Sequence, residues 1–300
     1  MTLKKNKYKN FLAGYERFNR PLILGGAMGS LLQQKGLPQH KYLWNSKNNL
    51  DYPDIVRSLH KEYISNGADI ITTNTFRTNP YAIKQSGLDI NEAEFVKKSV
   101  ELAINSKNDF ELFIAGSNAP AEDCYQKERT ITIKEMEYNH KTHIEYLWNS
   151  GVDIIWNETQ SHWDEIKIIC EYCSKNKIPY AMNLFFTDKL EILSGEKLNA
   201  IVCSIEKYKP DIIGFNCIKY NTLHSYINAN SLPKNWGFYL NCGSGNLDDD
   251  LIKCGVNSTE YLEFVKDLLN YNPIFVGSCC GSSPKHTRAI KDFFDEFYRN

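Results

Sequence analysis

Four of the nine cysteines in this 300-residue chain end apolar runs instead of sitting inside them, and three of them carry the argument. Cys279 and Cys280 close the run Ile274-Phe275-Val276-Gly277-Ser278, and Cys217 closes Asp211-Ile212-Ile213-Gly214-Phe215-Asn216. Adjacent residues of a regular strand point to opposite faces, so Cys279 and Cys280 reach one ion only if the strand has just ended and the backbone turns. Gly281 follows at once and permits that turn. Three thiolates with a fourth position left open describe a catalytic zinc (Zn2+) site, because a structural site closes all four positions. The competing reading is plain burial, since cysteine is among the most buried residue types. Burial is the expectation for Cys124, Cys170, Cys173, Cys203 and Cys254. Cys170 and Cys173 have C-x-x-C spacing, but they fall mid-helix with no second pair. Cys242 also ends an apolar run and could neighbour the ion.

Other runs end in polar or small residues. The first ends in Gly25-Gly26-Ala27-Met28, the second in Thr73-Asn74-Thr75, the fourth in Asn157-Glu158-Thr159, and the seventh in Asn241. Stability alone does not require such endings. Glu158 suits either substrate binding or the start of a helix, where acids are favoured. Asn216 and Asn241 suit cysteine orientation, binding of a carboxylate, or turn chemistry. His60 reads as outer packing on a helix, and His162 and His286 begin helices without a partner that would suggest catalysis.

The elements that must position these residues alternate regularly. Eight nearly continuous apolar runs begin near residues 22, 68, 113, 152, 180, 211, 237 and 274. Such runs are what parallel strands buried on both faces require. Helical patterns fill about 54–66, 92–106, 134–149, 161–175, 198–208, 221–229, 258–269 and 284–298. In the first of these, Ile55, Val56, Leu59, Tyr63 and Ile64 recur at helical spacing and Gly67 caps the end. The pattern predicts an α/β fold, a single (β/α)8 TIM barrel over 21–300 preceded by a short N-terminal extension, 1–20, that packs as a helix. A doubly wound open sheet fits less well, given the strand count and the lack of a phosphate-binding glycine loop. In a barrel the strand ends converge on one rim, where the chemistry sits. The connection 28–53 is too long for an ordinary loop and is expected to cover part of the mouth.

Composition narrows the classes. The apolar and charged fractions, 42% and 24%, are those of a globular protein, and a net charge of −1 gives no cue for nucleic acid or membrane. The basic residues Lys4, Lys5, Lys7 and Lys9 read as a solvated face. No apolar run approaches the roughly 20 residues that span a bilayer, and no secretory segment is evident. A cytoplasmic protein with reduced thiols is expected.

The chain resembles the homocysteine S-methyltransferase family over about Leu22 to Arg288. The resemblance is carried by Gly26-Ala27-Met28-Gly29-Ser30, Leu43-Trp44-Asn45, the segment His60 to Phe76, Gly116-Ser117, Asp153 to Thr159, Gly214-Phe215-Asn216-Cys217, Asn241-Cys242-Gly243 and Gly277-Ser278-Cys279-Cys280-Gly281. It implies a barrel and a zinc ion held by Cys217, Cys279 and Cys280. It also implies that homocysteine sulfur takes the open position, with the amino-acid end held by the loop Gly26-Ala27-Met28 and by Glu158. Read from the residues alone, Asn74 and Thr75 suit either the methyl donor or plain turn chemistry. The family usually carries an aspartate where this chain has Gly25, which leaves Glu158 as the obvious counter-charge for an ammonium group.

Keeping a free thiol of pKa about 8.5 as thiolate at pH 7 costs about 2 kcal/mol. Zinc binds the deprotonated form and removes that cost. The expected reaction moves a methyl group from S-methylmethionine, S-adenosylmethionine or betaine to homocysteine, giving methionine. The alternative is a stand-alone homocysteine-binding module methylated through a separate corrinoid or folate protein. The chain ends soon after the barrel, which favours the self-contained enzyme.

Overall fold

The computed structural model describes residues 11–244 and 251–298. Eight parallel strands form one sheet: β1 Leu22–Ile23, β2 Ile70–Thr72, β3 Phe113–Asn118, β4 Ile154–Gln160, β5 Tyr180–Leu184, β6 Ile212–Asn216, β7 Trp236–Leu240 and β8 Phe275–Ser278. β1 pairs with β8, and the remaining strands follow in sequence around to β2. The last seam is short. Leu24 bridges Ile70, Gly25 N donates to Ile70 O at 2.8 Å, and Asp69 N donates to Ile23 O at 2.8 Å. These bonds close the expected (β/α)8 barrel.

The eight anticipated helices are present as Pro53–Ser65, Glu92–Ile104, Ile133–Asn149, Trp163–Asn176, Leu198–Glu206, Tyr220–Ala229, Ser258–Leu268 and Pro284–Phe297. Their starts follow from local chemistry. Pro53 and Pro284 occupy first-turn positions where a missing N–H does no harm. Thr132 with Glu135, and Asn257 with Glu260, form reciprocal capping boxes. Gly67 has φ +97° and ends its helix as the sequence suggests.

The helices lay one face on the outside of the barrel, where Phe215 packs on Tyr226 and Trp236 Nε1 donates to Tyr271 O, and the interior is filled by inward residues, among them Trp156, Tyr239 and Phe275. Trp156 and Phe275 meet edge to face at 5.0 Å. Because both sheet faces are covered, the strands carry almost no exposed residues.

Some features were not anticipated. Further helices are Gly29–Gln34 and Asn48–Asp51 in the first connection and Pro80–Ser86 after β2, the last capped by Asn79. A short antiparallel ribbon, Gly243–Ser244 with Lys253–Cys254, follows β7. Cys203 and Cys254 are exposed, which corrects their assignment to the core; each sits on an outward position of a helix or ribbon. Residues 1–10 of the N-terminal extension lie outside the described residues. The described part holds helix Phe11–Tyr15, with Leu12 and Tyr15 against the core. Among the described residues no helix is long and apolar enough to cross a membrane.

Candidate metal centre

The C-terminal ends of the strands open into a cavity of about 690 Å3. Cys217, Cys279 and Cys280 all line it, together with Glu158 and the strand-1 loop Gly26-Ala27-Met28. The cysteine pair leaves β8 as the spacing requires. Cys279 N still donates to Leu240 O in the ladder, Cys280 O accepts from Cys242 N, and Gly281 turns the chain at φ +82°. A Cβ on Gly281 would stand 2.6 Å from both Cα and N of Gly243, so the close approach of two backbones also demands glycine. Ser30 Oγ accepts from Gly281 N at 3.0 Å and ties the turn to helix Gly29–Gln34 of the first connection. Cys217 itself adopts φ +55°, which swings its side chain off the β6 ladder toward β8.

The three sulfurs lie within 4.8 Å of one another. Cys217 Sγ and Cys280 Sγ are 3.8 Å apart. Two sulfurs bound at about 2.3 Å to one tetrahedral ion stand about 3.8 Å apart, so this pair has the right separation. Cys217 and Cys279 are joined as a disulfide, with Cα atoms 5.7 Å apart. Disulfide and metal ligation use the same sulfurs and are therefore alternative states of one cluster. Burial, and then the negative charge of Glu158, push the Cys280 thiol up to about 11. A bare thiol there keeps its proton at neutral pH, whereas a bound cation would displace it. The donor set thus fits one thiophilic divalent ion. Cys242 is fully buried and its sulfur contacts Leu240 O at 3.7 Å; it is not one of the clustered three.

Glu158 is the cavity acid whose charge acts on the Cys280 thiol. Burial raises its carboxyl to about 7, even though hydrogen bonds from Ser117 and Tyr239 favour the charged form. Ser117 Oγ donates to one carboxylate oxygen, and Tyr239 Oη donates to the other at 3.2 Å. Ser117 is fixed in turn by the segment that follows β2: its N donates to Thr73 Oγ1 and its O accepts from Thr75 Oγ1 at 2.7 Å.

The remaining anticipated residues have diverse placements. Ala27 N donates to Ser282 Oγ and Ala27 O accepts from Tyr63 Oη, which pins the strand-1 loop. Asn74 lines the cavity, yet its amide nitrogen is bonded to Asn45 O and Asn49 Oδ1 in the mouth connection. Thr75 is buried beneath Ser117 and does not line the cavity. Asn216 accepts from Thr159 N and donates to Thr159 Oγ1, holding a residue at φ +59°. Asn241 Oδ1 accepts from Gly243 N in a local turn. Neither Asn216 nor Asn241 lines the cavity.

One wall was expected from the sequence and a second was not. Gln39, Lys41, Tyr42 and Trp44 of the long first connection do cover the mouth, with the Trp44 indole packed over Gly29. The connection after β3 brings Asp123, Cys124 and Tyr125 to the opposite side. It is braced from behind: Ala121 N donates to Glu165 Oε1, Arg129 pairs with Asp164 and Glu165, and Glu165 meets His140 at 2.6 Å. Tyr239 was also missed. Strand alternation offers a signal, since it lies two residues before Asn241 on the inward face of β7.

The homocysteine S-methyltransferase family profile matches residues 22–294. Homocysteine S-methyltransferase of Escherichia coli K12 is 25% identical over 293 residues, 90% of this chain and 94% of that protein. Selenocysteine methyltransferase of Astragalus bisulcatus is 24% identical, over 90% of this chain and 91% of the relative. In fold, the chain is similar to the crystal structure of the homocysteine methyltransferase MmuM from Escherichia coli in its metallated form. The TM-score there is 0.78 at 24% identity, over 95% of this chain and 100% of that one. The oxidized form of the same enzyme gives a TM-score of 0.80. With its profile match running through nearly all of the barrel, the chain belongs to the homocysteine S-methyltransferase family.

Proposed function

We propose that this chain is a zinc-dependent methyltransferase that moves a methyl group from a small onium donor to the thiol of homocysteine, forming methionine. S-Methylmethionine is the favoured donor; S-adenosylmethionine and betaine are the other candidates. The observation that carries this is the convergence of three thiols and one part-buried, hydrogen-bonded carboxylate on a single cavity. The metallated relative and the homocysteine and selenocysteine methyltransferases among the curated relatives support it.

Cys217, Cys279 and Cys280 would hold the ion. When bound, zinc supplies a thiolate-stabilising Lewis acid at neutral pH, so that the acceptor sulfur is kept deprotonated. Glu158 would receive the acceptor's ammonium group, and the Gly26–Met28 loop would enclose its carbon chain. The mouth segment with Trp44 and the braced 119–131 connection would exclude water from the reacting sulfur. A cavity of about 690 Å3 leaves room for a donor beside the acceptor. Thiolate ligands fit a reducing, cytoplasmic setting, because oxidation to the Cys217–Cys279 disulfide withdraws two of the three.

The test is a donor panel with reduced, zinc-loaded protein and homocysteine. Methionine formed from S-methylmethionine alone is expected. Turnover only with methylcobalamin or an added corrinoid protein would instead identify a binding module served by a partner. Cys280→Ala is expected to lose both bound zinc and turnover, and retention of stoichiometric zinc with full activity would contradict the ligand assignment.

A further inference from the structure

Trp156 and Glu158 lie two residues apart on β4, so both point into the barrel. Tyr239 reaches them from β7, across the interior. The Trp156 Nε1–H donates to Tyr239 Oη at 3.2 Å, and Tyr239 Oη lies 3.2 Å from Glu158 Oε2. An indole nitrogen can only donate. Tyr239 must therefore accept from Trp156, and its single hydrogen is left for Glu158. Ser117, from β3, gives its hydroxyl hydrogen to Oε1. Each carboxylate oxygen thus has one hydroxyl donor fixed by a different strand, and each keeps a second lone pair open. The whole set is enclosed: Trp156 and Ser117 are buried, Tyr239 is 3% exposed, and Glu158 lines the cavity.

This arrangement does more than neutralise a buried acid. A lone buried carboxylate can rotate about its last torsion and present either edge. Two donors on opposite strands remove that freedom and leave one edge for a third donor. We infer, on the assignment of Glu158 to the acceptor's ammonium, that Tyr239 and Ser117 are positioning residues. They fix the plane of Glu158 and so make the site selective for an acceptor thiol carrying an α-amino group. Trp156 sets the direction of the relay by forcing Tyr239 to donate toward Glu158. A simple alkyl thiol or mercapto acid would leave the oriented edge unpaired.

The experiment compares two acceptors, homocysteine and its des-amino analogue 4-mercaptobutanoate, in the zinc-loaded enzyme with one fixed donor. Tyr239→Phe and Ser117→Ala are each expected to raise KM for homocysteine by about 10- to 150-fold, the range of one hydrogen bond to a charged group, while kcat changes little. KM for the des-amino analogue should stay unchanged in both variants. A variant that merely loosened the barrel would weaken both acceptors alike, and that result would overturn the inference. Glu158→Gln separates the two levels. If it discriminates between the acceptors and the hydroxyl variants do not, Glu158 binds the ammonium but Tyr239 and Ser117 do not position it. If Glu158→Gln affects both acceptors equally, the ammonium assignment itself fails and the inference falls with it.

Discussion

At the scale of single residues, the centre depends on backbone conformations as much as on sulfur. Gly281 combines φ +82° with a contact that admits no Cβ. Gly281→Ala should therefore cost at least 1–3 kcal/mol and displace the Cys279–Cys280 pair. Thermal unfolding and zinc content of the reduced protein check this, and a variant with unchanged zinc stoichiometry and melting temperature would refute it. The sequence made this much legible because one glycine after two cysteines leaves few ways to direct both sulfurs to one side. Glu158 was legible as an acid at a strand end. Its partners were not: Ser117 and Tyr239 stand 41 and 81 residues away in the chain, and only closure of the barrel brings them to it. Asn216 and Asn241 show the opposite limit. Asparagine at a strand end suits a substrate and a turn equally well, and the hydrogen bonds to Thr159 and Gly243 are matters of geometry that spacing does not encode.

At the scale of elements, helix Ile133–Asn149 carries a polar spine against the barrel. His143 Nδ1 meets Asn118 Oδ1 at 2.8 Å and its Nε2 meets Thr78 Oγ1 at 2.9 Å. His140 meets Glu165, which braces the 119–131 connection. Burial opposes the charge on Glu165, but the His140 hydrogen bond, that residue's charge, the Ala121 N–H and Arg129 outweigh it and lower its pKa. Glu165→Gln should loosen that wall, raising donor KM several-fold and accelerating proteolysis within 119–131; equal kinetics and equal cleavage would count against it. The eight strands and helices were legible because each apolar run is too continuous for a one-sided sheet and each helix carries its own stripe and cap. The bracing was not, since Glu165, Arg129 and His140 look like ordinary surface residues of separate segments until the helices pack side by side.

At the scale of the whole molecule, buried neutral histidines set the acid limit. Burial lowers His60 to about 3, and burial followed by the His140 charge lowers His143 to about 3, from an ordinary 6.5. Between these values the unfolded chain binds more protons than the folded one. Stability is therefore full above about pH 6.5 and falls as pH drops, by up to about 1.4 kcal/mol per unit for each histidine. His60 has no hydrogen-bond partner for either ring nitrogen among the described residues. His60→Leu should accordingly move the acid-unfolding midpoint downward without loss of stability at pH 8; an unchanged midpoint by circular dichroism would contradict this. On the proposed function, stability at neutral pH holds the ends of β6 and β8 in register around a single ion, with Glu158 of β4 beside it. The most direct measurement of that claim is zinc-edge X-ray absorption on the reduced, zinc-loaded protein with and without homocysteine. Three sulfur ligands and one lighter atom should become four sulfurs when the acceptor is added; a shell that keeps three sulfurs in saturating homocysteine, or has fewer at the outset, would contradict it.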